Sequence, residues 1–410
     1  MVRGLTESGD GVQVVLGRAG SGKTYALEPS WQAWQAEGYQ VIGAALSARA
    51  AQELQQGSGI PSSTLARLLA DSADWARSPL HAMSVVVLDE AGMVGTRDLA
   101  DLARHAEDAR AKLVLVGDDA QLAEIAAGGS FRALARRLGT IELADNQRQV
   151  LPWERQALLD IRQGRAAEAV AAYHEHGRIH MAEDRIAACE ALVAHWLAAH
   201  RSGDEALMIA RRLEDAHELS RRARALLVKA GEVGGPERHL PDGPVSAGDR
   251  VMMLRNDASL GVQNGLRGTV LGLGPDGSLR VASDAGAILD LPASYLADGH
   301  LTYGYAITAH KAQGMTVDSA FVLASGGIDR QWGYTALSRA RSETRLYVPH
   351  GRAVVGQERD ELGGRHVSVE QDPLARLAAD LARDRSQEAA LERLLGRERP
   401  PHERGRGMER

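Results

Sequence analysis

The chain has 410 residues, of which 44% are hydrophobic, and this length predicts two or three domains with separate hydrophobic cores. Its formal net charge of −6 excludes a globally basic protein, so a nucleic-acid site must be a local groove. The single cysteine, Cys189, excludes an intrachain disulfide and a cysteine-built zinc site, and is interpreted as a small core residue. No apolar run of membrane-spanning length and no signal peptide are visible, which predicts a cytoplasmic protein.

The first predicted element, an apolar strand over 12–16, runs directly into a phosphate-binding loop. Residues 17–24 have the pattern G-x-x-x-x-G-K-[ST], and a helical pattern follows over 25–37. Backbone N–H groups of such a loop cradle phosphates at a helix N-terminus. The ammonium of Lys23 would meet the β- and γ-phosphates, and the hydroxyl of Thr24 would bind Mg²⁺. The predicted nucleotide-binding residues are Gly17, Ala19, Gly20, Ser21, Gly22, Lys23 and Thr24.

Three further strands are predicted at 40–45, 84–88 and 112–116, and they alternate with helical segments. This alternation indicates a parallel sheet with helices on both faces, whose ligands bind at the carboxyl ends of the strands. Asp89, directly after the second of these strands, would hold Mg²⁺, directly or through water. Glu90 would orient and deprotonate the attacking water. Gln121, which follows the third strand, would sense the γ-phosphate.

The second half of the chain has two different patterns. It is mostly helical over 153–199, and a second α/β region then has predicted elements in the strand 206–210, the helix 211–230 and the strands 319–323 and 345–348. A small β-barrel is predicted within that region from short strands and intervening turn signals, at 250–254, 267–273, 278–282 and 287–291. Past His350 the chain is rich in arginine and glutamate, with an amphipathic stretch over 373–395 and a terminus of about 15 residues predicted to be disordered.

Eight segments, taken in order, resemble the motif set of a superfamily 1 helicase. They are GRAGSGKT (17–24), GAALSARAAQEL (43–54), GIPSSTLARLL (59–69), VVVLDEAGM (85–93), LVGDDAQL (115–122), NQRQ (146–149), YAITAHKAQGMTVD (305–318) and YTALSRAR (334–341). The resemblance covers roughly residues 11 to 348. It is strongest to superfamily 1B, the RecD-like branch that moves 5′ to 3′, and within that branch to the helicase part of MobF-type conjugative relaxases. It implies an α/β fold of two RecA-like domains, with ATP and Mg²⁺ between them and single-stranded DNA across their top.

The resemblance also implies roles for individual residues. Arg148 and Arg339 match the two arginines that reach the γ-phosphate, as fixed charges that meet the transition state when the cleft closes. Gly314, with Gln313, matches positions that couple to the nucleotide. Residues that match contacts to the DNA backbone are Ser47, Arg49, Thr64, Thr308, His310 and Lys311. No second ligand at metal spacing accompanies His310, so a metal role is rejected.

The domain organisation follows from the motifs and the resemblance. The segment between the two parts of the second RecA-like domain is similar to the SH3-like insert of RecD-type helicases. The expected divisions are 1–145 for the first RecA-like domain, 146–247 and 299–350 for the second, 248–298 for the insert and 351–410 for a charged, helical or disordered tail.

The sequence also lacks some features of the families that it resembles. Only eleven residues precede Val12, so the upstream segment that carries an adenine-reading glutamine is expected to be truncated, and no nicking segment or three-histidine cluster is visible. The favoured function is an ATP-driven 5′-to-3′ motor on single-stranded DNA, tied to conjugation or DNA processing and to proteins of those processes. The alternatives are a helicase-like remnant that binds DNA or a partner without efficient turnover, a small-molecule phosphotransferase, and RNA as the track.

Overall fold

The computed structural model describes residues 1–73, 78–122, 129–143, 145–350 and 372–386. These residues form two parallel sheets, an antiparallel sheet and a two-stranded hairpin. No helix within them combines the length and the apolar character that a membrane span needs.

Six strands build the first sheet, in the order β3-β2-β4-β5-β1-β6, and every pairing between them is parallel. They are β1 (Val12–Gly17), β2 (Gln40–Ala45), β3 (Ser62–Thr64), β4 (Ser84–Leu88), β5 (Lys112–Gly117) and β6 (Ile141–Leu143). The accompanying helices are α1 (Val2–Thr6), α2 (Lys23–Ala36), α3 (Ala48–Ser58), α4 (Leu65–Ser72), α5 (Thr96–Ala109) and α6 (Ser130–Leu138), with a 3₁₀ turn at Ala91–Met93.

Buried apolar residues explain why these elements form a three-layer unit. All five residues of β4, Ser-Val-Val-Val-Leu, are buried, as expected for a central parallel strand covered on both faces. In α5, Leu99, Leu102 and Ala106 recur at helical spacing and pack on one face of the sheet. A separate core that includes Leu27 and Leu54 covers the other face. The four strands predicted here are confirmed, whereas the three-residue strands β3 and β6 were too short to predict.

The rest of the chain contains twelve further strands within the described residues. They are β7 (Ile179–Ala182), β8 (Ala206–Ala210), β9 (Gly234–Leu240), β10 (Gly243–Ala247), β11 (Arg250–Met253), β12 (Arg267–Leu273), β13 (Leu279–Ser283), β14 (Ile288–Leu291), β15 (Leu301–Tyr303), β16 (Ala306–Thr308), β17 (Val317–Leu323) and β18 (Ala340–Pro349). The helices are α7 (Pro152–Arg162), α8 (Ala166–Glu175), α9 (Arg185–Arg201), α10 (Leu213–Lys229), α11 (Ala293–Ala297), α12 (Ala309–Ala312), α13 (Arg330–Leu337) and α14 (Pro373–Ala382).

The second sheet is also parallel throughout, in the order β16-β8-β17-β18-β7. Its strands β8, β17 and β18 confirm the predictions for the second α/β region. The segment over 153–199 is mostly helical, as predicted, with α7, α8 and most of α9. It also contains β7, which was not predicted because this four-residue strand, half exposed and lying between helices, carries no clear alternating pattern. Cys189 is buried in α9, as interpreted from the sequence.

An antiparallel sheet lies between β8 and β16 in the sequence, in the order β14-β13-β12-β11-β15. It contains the four short strands predicted for this region, and β15 joins it from beyond the predicted boundary at 298. Its outer strands β14 and β15 are not paired with each other in the described chain, so the SH3-like barrel stays a prediction. One hydrophobic core joins this sheet to the second parallel sheet, since Val251 and Val281 lie in the same buried cluster as Trp196 and Met208.

The predictions for the tail fall largely outside the described residues. Helix α14 accounts for the first part of the predicted amphipathic stretch, and residues 383–386 are not helical. Residues 351–371 and 387–410, including the terminus that was predicted to be disordered, lie outside the described ranges.

Candidate nucleotide site between the two sheets

A cavity of about 430 Å³ lies where the carboxyl ends of the first sheet face the second half of the chain. From the first sheet it is lined by the predicted residues Ala19, Gly20, Ser21, Gly22, Lys23, Thr24, Asp89, Glu90 and Gln121. From the part of the chain that follows β6, called the second half here, it is lined by Arg148, Gly314 and Arg339. Residues more than 300 positions apart in sequence therefore share one cavity wall.

The phosphate loop has the backbone that its glycines predict. Gly20 and Gly22 have φ angles of +77° and +71°, a region that favours glycine, and Gly22 is the residue before α2. A Cβ at Gly17 would lie 2.1 Å from the side chain of Lys23, so only glycine lets that lysine fold over the loop. The Lys23 Nζ donates to the Gly17 carbonyl oxygen at 3.2 Å. The ammonium is therefore held inside the loop.

Two carboxyl groups face this lysine from the end of β4. Burial and the neighbouring Glu90 carboxylate raise the pKa of Asp89 to about 6, against the opposing effect of Lys23. Glu90 has a left-handed backbone with φ of 51°, which is rare outside glycine and concentrates at functional sites. The Gln313 Nε2 donates to Glu90 Oε2 at 3.4 Å, and so connects this carboxylate to the segment after α12.

The two arginines that the resemblance singled out lie side by side across the cavity. Arg339 is 1% exposed, and its guanidinium donates to the Thr335 carbonyl oxygen at 2.7 Å and to the Ser338 hydroxyl at 2.7 Å. Arg148 donates to the Ser338 carbonyl oxygen at 2.7 Å. In the described part of the chain no carboxylate forms an ion pair with either guanidinium. Burial and the charge of Arg339 lower the pKa of Arg148 to about 9, and burial likewise lowers the pKa of Arg339.

These residues fit a nucleoside triphosphate with a divalent cation. A buried guanidinium without a counter-ion is unfavourable, and two of them beside Lys23 form a site whose charge suits a polyphosphate. The buried hydroxyl of Ser21 and the Oε1 of Gln121 have no hydrogen-bond partner in the described structure. A carboxylate oxygen from Asp89 and a hydroxyl from Thr24 are the oxygen ligands that Mg²⁺ prefers. The chemistry of the donor set is thus that of a phosphate and magnesium site.

The predicted DNA contacts of the first sheet lie at helix starts. The hydroxyls of Ser47 and Thr64 accept from the backbone N–H groups of Ala50 and Arg67 and so cap α3 and α4. Capping uses an acceptor lone pair, and each hydroxyl keeps its proton for donation to an anion. Arg49 pairs with Glu53 at 2.8 Å and also lines the cavity that contains the phosphate loop, a position that the sequence did not suggest.

The predicted DNA contacts of the second half cluster around α12. Thr308 is the residue before this helix, and His310 and Lys311 lie within it. Burial and the charge of Arg211 lower the pKa of His310, which keeps its imidazole neutral. Lys311 is exposed, and its Nζ donates to Asn264 Oδ1, in the antiparallel sheet region, at 2.6 Å.

Several residues of this site were missed by sequence reasoning. Glu53, Thr316 and Tyr25 line the cavity, and the Tyr25 side chain is 74% exposed there. Tyr25 directly follows the phosphate loop, and this adjacency is a signal that could have identified it. Glu53 lies in a quoted helicase motif, but its position toward the cavity depends on how α3 packs, which the local sequence does not fix.

Comparison with known proteins identifies the relatives of this chain. Residues 1–184 match the family described as AAA domain, and residues 303–347 match the UvrD-like helicase C-terminal domain. The chain is 37% identical over 344 residues to the probable conjugal transfer protein TraA of Sinorhizobium fredii, which covers 82% of this chain and 31% of that protein. It is 32% identical over 302 residues to the RecBCD enzyme subunit RecD of Mycobacterium tuberculosis, over 64% of this chain and 49% of that protein.

A crystal structure of Pif1 helicase from Bacteroides in complex with ADP-AlF3 and single-stranded DNA has the same fold. It superposes with a TM-score of 0.58 at 18% identity and covers 85% of this chain and 91% of the other. The fold and the site define a P-loop protein with two RecA-like sheets. The chain belongs to the RecD-like helicases of superfamily 1B and is related to the conjugative relaxases. It spans about a third of the length of the TraA proteins that it matches.

Proposed function

We propose that this chain is an ATP hydrolase that moves 5′ to 3′ along single-stranded DNA, as the motor of a conjugative or other DNA-processing system. The observation that carries the proposal is the cavity in which Lys23 and Glu90 of the first sheet meet Arg148 and Arg339 of the second half. The polarity and the link to conjugation are supported by the similarity to RecD and TraA proteins.

In this proposal each side chain acts on one part of the reaction. Lys23 and the N–H groups of residues 20–24 bind the β- and γ-phosphates, and Gly314 lies against the nucleotide. Glu90 orients the attacking water and accepts its proton, and Gln121 senses the γ-phosphate. Mg²⁺, held by Thr24 and Asp89, would neutralise the charge that develops on the phosphate oxygens.

The second half of the chain completes the site only when the cleft is closed. Arg148 and Arg339 stabilise, from across the cavity, the negative charge on the γ-phosphoryl group as it passes from ADP to water. The same closure brings the DNA contacts of α3 toward those of α12, since α3 lines the cavity and Gln313, just after α12, bonds Glu90. Opening after hydrolysis would separate the two sets, and an alternating grip would move the strand.

We also propose the domain divisions 1–145, 146–247 with 299–350, and 248–298. The pairing pattern supports the first and third units, because every pairing in the first sheet is parallel and β11 to β14 are antiparallel. The second unit contains the second parallel sheet together with the antiparallel hairpin of β9 and β10. The proposal extends the third unit to β15, which pairs with β11.

The test of this function is steady-state ATP hydrolysis by the purified chain, with and without a poly-thymidine oligonucleotide. We expect strong stimulation by the oligonucleotide, absent in Lys23→Ala and retained in Lys229→Ala, an exposed lysine at the end of α10. DNA binding without stimulated hydrolysis would instead support the non-hydrolysing remnant. Equal stimulation of ATP hydrolysis by a poly-uridine oligonucleotide would show that RNA can also serve as the track.

Lys311→Ala should weaken binding to single-stranded DNA in a salt-dependent way. The logarithm of the binding constant decreases linearly with the logarithm of the salt concentration. If the exposed ammonium neutralises one phosphate, this negative slope should become smaller in magnitude by about 0.7 in the variant. Fluorescence anisotropy of a labelled poly-thymidine oligonucleotide over a salt series measures this slope. Lys229→Ala is the matched control, and an unchanged slope in Lys311→Ala would remove Lys311 from the DNA site.

A further inference from the structure

Tyr334 contacts the first sheet although it belongs to α13, in the second half of the chain. This side chain is 3% exposed. Its hydroxyl accepts a hydrogen bond from the backbone N–H of Ala19, in the phosphate loop, at 3.0 Å. The same hydroxyl donates to Oδ2 of Asp118, just after β5, at 3.0 Å. One phenol oxygen therefore joins two strand ends of the first sheet to α13.

Asp118 is the centre of a buried polar cluster at this junction. Its carboxylate is fully buried and is paired with the guanidinium of Arg162, at the end of α7. It also accepts from the backbone N–H of Ala120 at 3.1 Å and from Gln121 Nε2 at 3.3 Å. Two residues of the second half, Arg162 and Tyr334, thus bond the Asp118 carboxylate of the first sheet. The same carboxylate accepts from Gln121.

The charge states suit these bonds. Burial and the Asp118 carboxylate raise the pKa of Tyr334, so its hydroxyl stays protonated and can donate. Burial alone would raise the pKa of Asp118, but the nearby Arg162 and Lys23 lower it below its ordinary value. A neutral phenol next to a carboxylate anion makes a charge-assisted hydrogen bond, which is stronger than a neutral one.

The helix that carries Tyr334 leads directly to the arginine of the cavity. The hydroxyl of Thr335 accepts from the backbone N–H of Leu122 at 3.0 Å, a second bond between α13 and the segment after β5. The Thr335 carbonyl oxygen accepts from Arg339 Nε. The end of α13, with Arg339, is therefore fixed relative to the phosphate loop by residues outside the nucleotide cavity.

We propose that Tyr334 is a positioning residue for hydrolysis, whose hydroxyl aligns the phosphate loop and Asp118 with the helix end that presents Arg339. This inference rests on the proposed function. Arg339 contributes only when it lies correctly against the γ-phosphate, because small displacements of a catalytic group are costly in rate. Tyr334 touches neither the phosphate nor the water in this proposal, and it acts through Arg339 and Gln121.

The test compares Tyr334→Phe with Tyr347→Phe. Each variant loses one buried phenol hydroxyl, and the Tyr347 hydroxyl bonds His195 within the second half of the chain, away from the cleft. We expect Tyr334→Phe to lower the DNA-stimulated kcat about tenfold, with little change in the KM for ATP. We expect Tyr347→Phe to leave both constants as in the wild type.

Amide hydrogen exchange provides a readout that does not need turnover. Tyr334→Phe removes the acceptor of the Ala19 N–H, so peptides that cover residues 17–24 should exchange faster than in the wild type and in Tyr347→Phe. A wild-type chain without stimulated hydrolysis would contradict the proposed function, and the exchange would still test the contact. Wild-type kcat, or wild-type exchange of the loop, in Tyr334→Phe would overturn the positioning role.

Asp118→Asn serves as a second variant if Tyr334→Phe fails to fold. It removes the charge that the Tyr334 hydroxyl and Arg162 share, while the phenol ring stays packed. The proposal expects a similar loss of kcat at unchanged KM. An unaffected kcat in Asp118→Asn would contradict it.

Discussion

Glu90→Gln should bind ATP as the wild type does and hydrolyse it about a thousandfold more slowly. The amide keeps the size of the carboxylate, and its oxygen can still accept from Gln313, but it cannot take the proton of the attacking water. The left-handed φ of 51° at residue 90 is equally unfavourable for glutamate and glutamine, so the fold should be unaffected. Single-turnover hydrolysis and equilibrium binding of a fluorescent ATP analogue measure the two properties separately.

Two other variants define the meaning of that result. Lys23→Ala should lose nucleotide binding together with turnover, because the ammonium in the phosphate loop acts in both. Glu142→Gln, an exposed position on β6 of the same sheet, should hydrolyse ATP like the wild type. Normal turnover in Glu90→Gln would refute its assignment as the general base, and the left-handed backbone would need another explanation.

Arg339→Ala should lose about a thousandfold in ATP hydrolysis and retain its affinity for single-stranded DNA. The guanidinium is buried beside the cavity without a carboxylate partner in the described chain, so its charge is available to the γ-phosphate. Arg339→Lys should recover only part of the rate, since an ammonium cannot reproduce the planar donor fork. DNA-stimulated ATPase and oligonucleotide binding, measured on the same preparations, test both statements.

Arg341→Ala is the matched control for Arg339, because it is two residues away and forms an exposed ion pair with Asp318. We expect it to bind DNA and hydrolyse ATP as the wild type does. If Arg339→Ala lost DNA binding instead of hydrolysis, Arg339 would belong to the strand groove and the cavity would lack one of its two proposed arginines.

The sequence predicted the parts of this site that depend on local patterns. The phosphate loop and Asp89 follow apolar strands directly, so the strand, the turn and the polar residue are readable together in a few positions. The contacts of Tyr334 could not be read in this way. Its partners Ala19 and Asp118 are 315 and 216 residues away, and only the packing of the two halves brings them together.

Secondary structure was predictable for a similar reason. Strand β4 is buried on both faces and has a continuous apolar sequence, which identifies it without knowledge of its neighbours. Strand β7 has one buried residue among four, and within the described residues its one partner strand is β18, more than 150 residues later. Its conformation depends on that distant partner, and the helical segments on either side of it dominate the local pattern.

The shared core of the antiparallel sheet and the second parallel sheet has a consequence for unfolding. Val251 and Val281 of the antiparallel sheet pack in one cluster with Met208 of the parallel sheet and with Trp196 of α9. Without the other sheet, each would leave part of this apolar cluster uncovered. The two sheets should therefore open as one cooperative unit, although their strands differ in direction and their sequence ranges alternate. A deletion of the antiparallel sheet would expose the cluster to water and favour aggregation of the truncated chain.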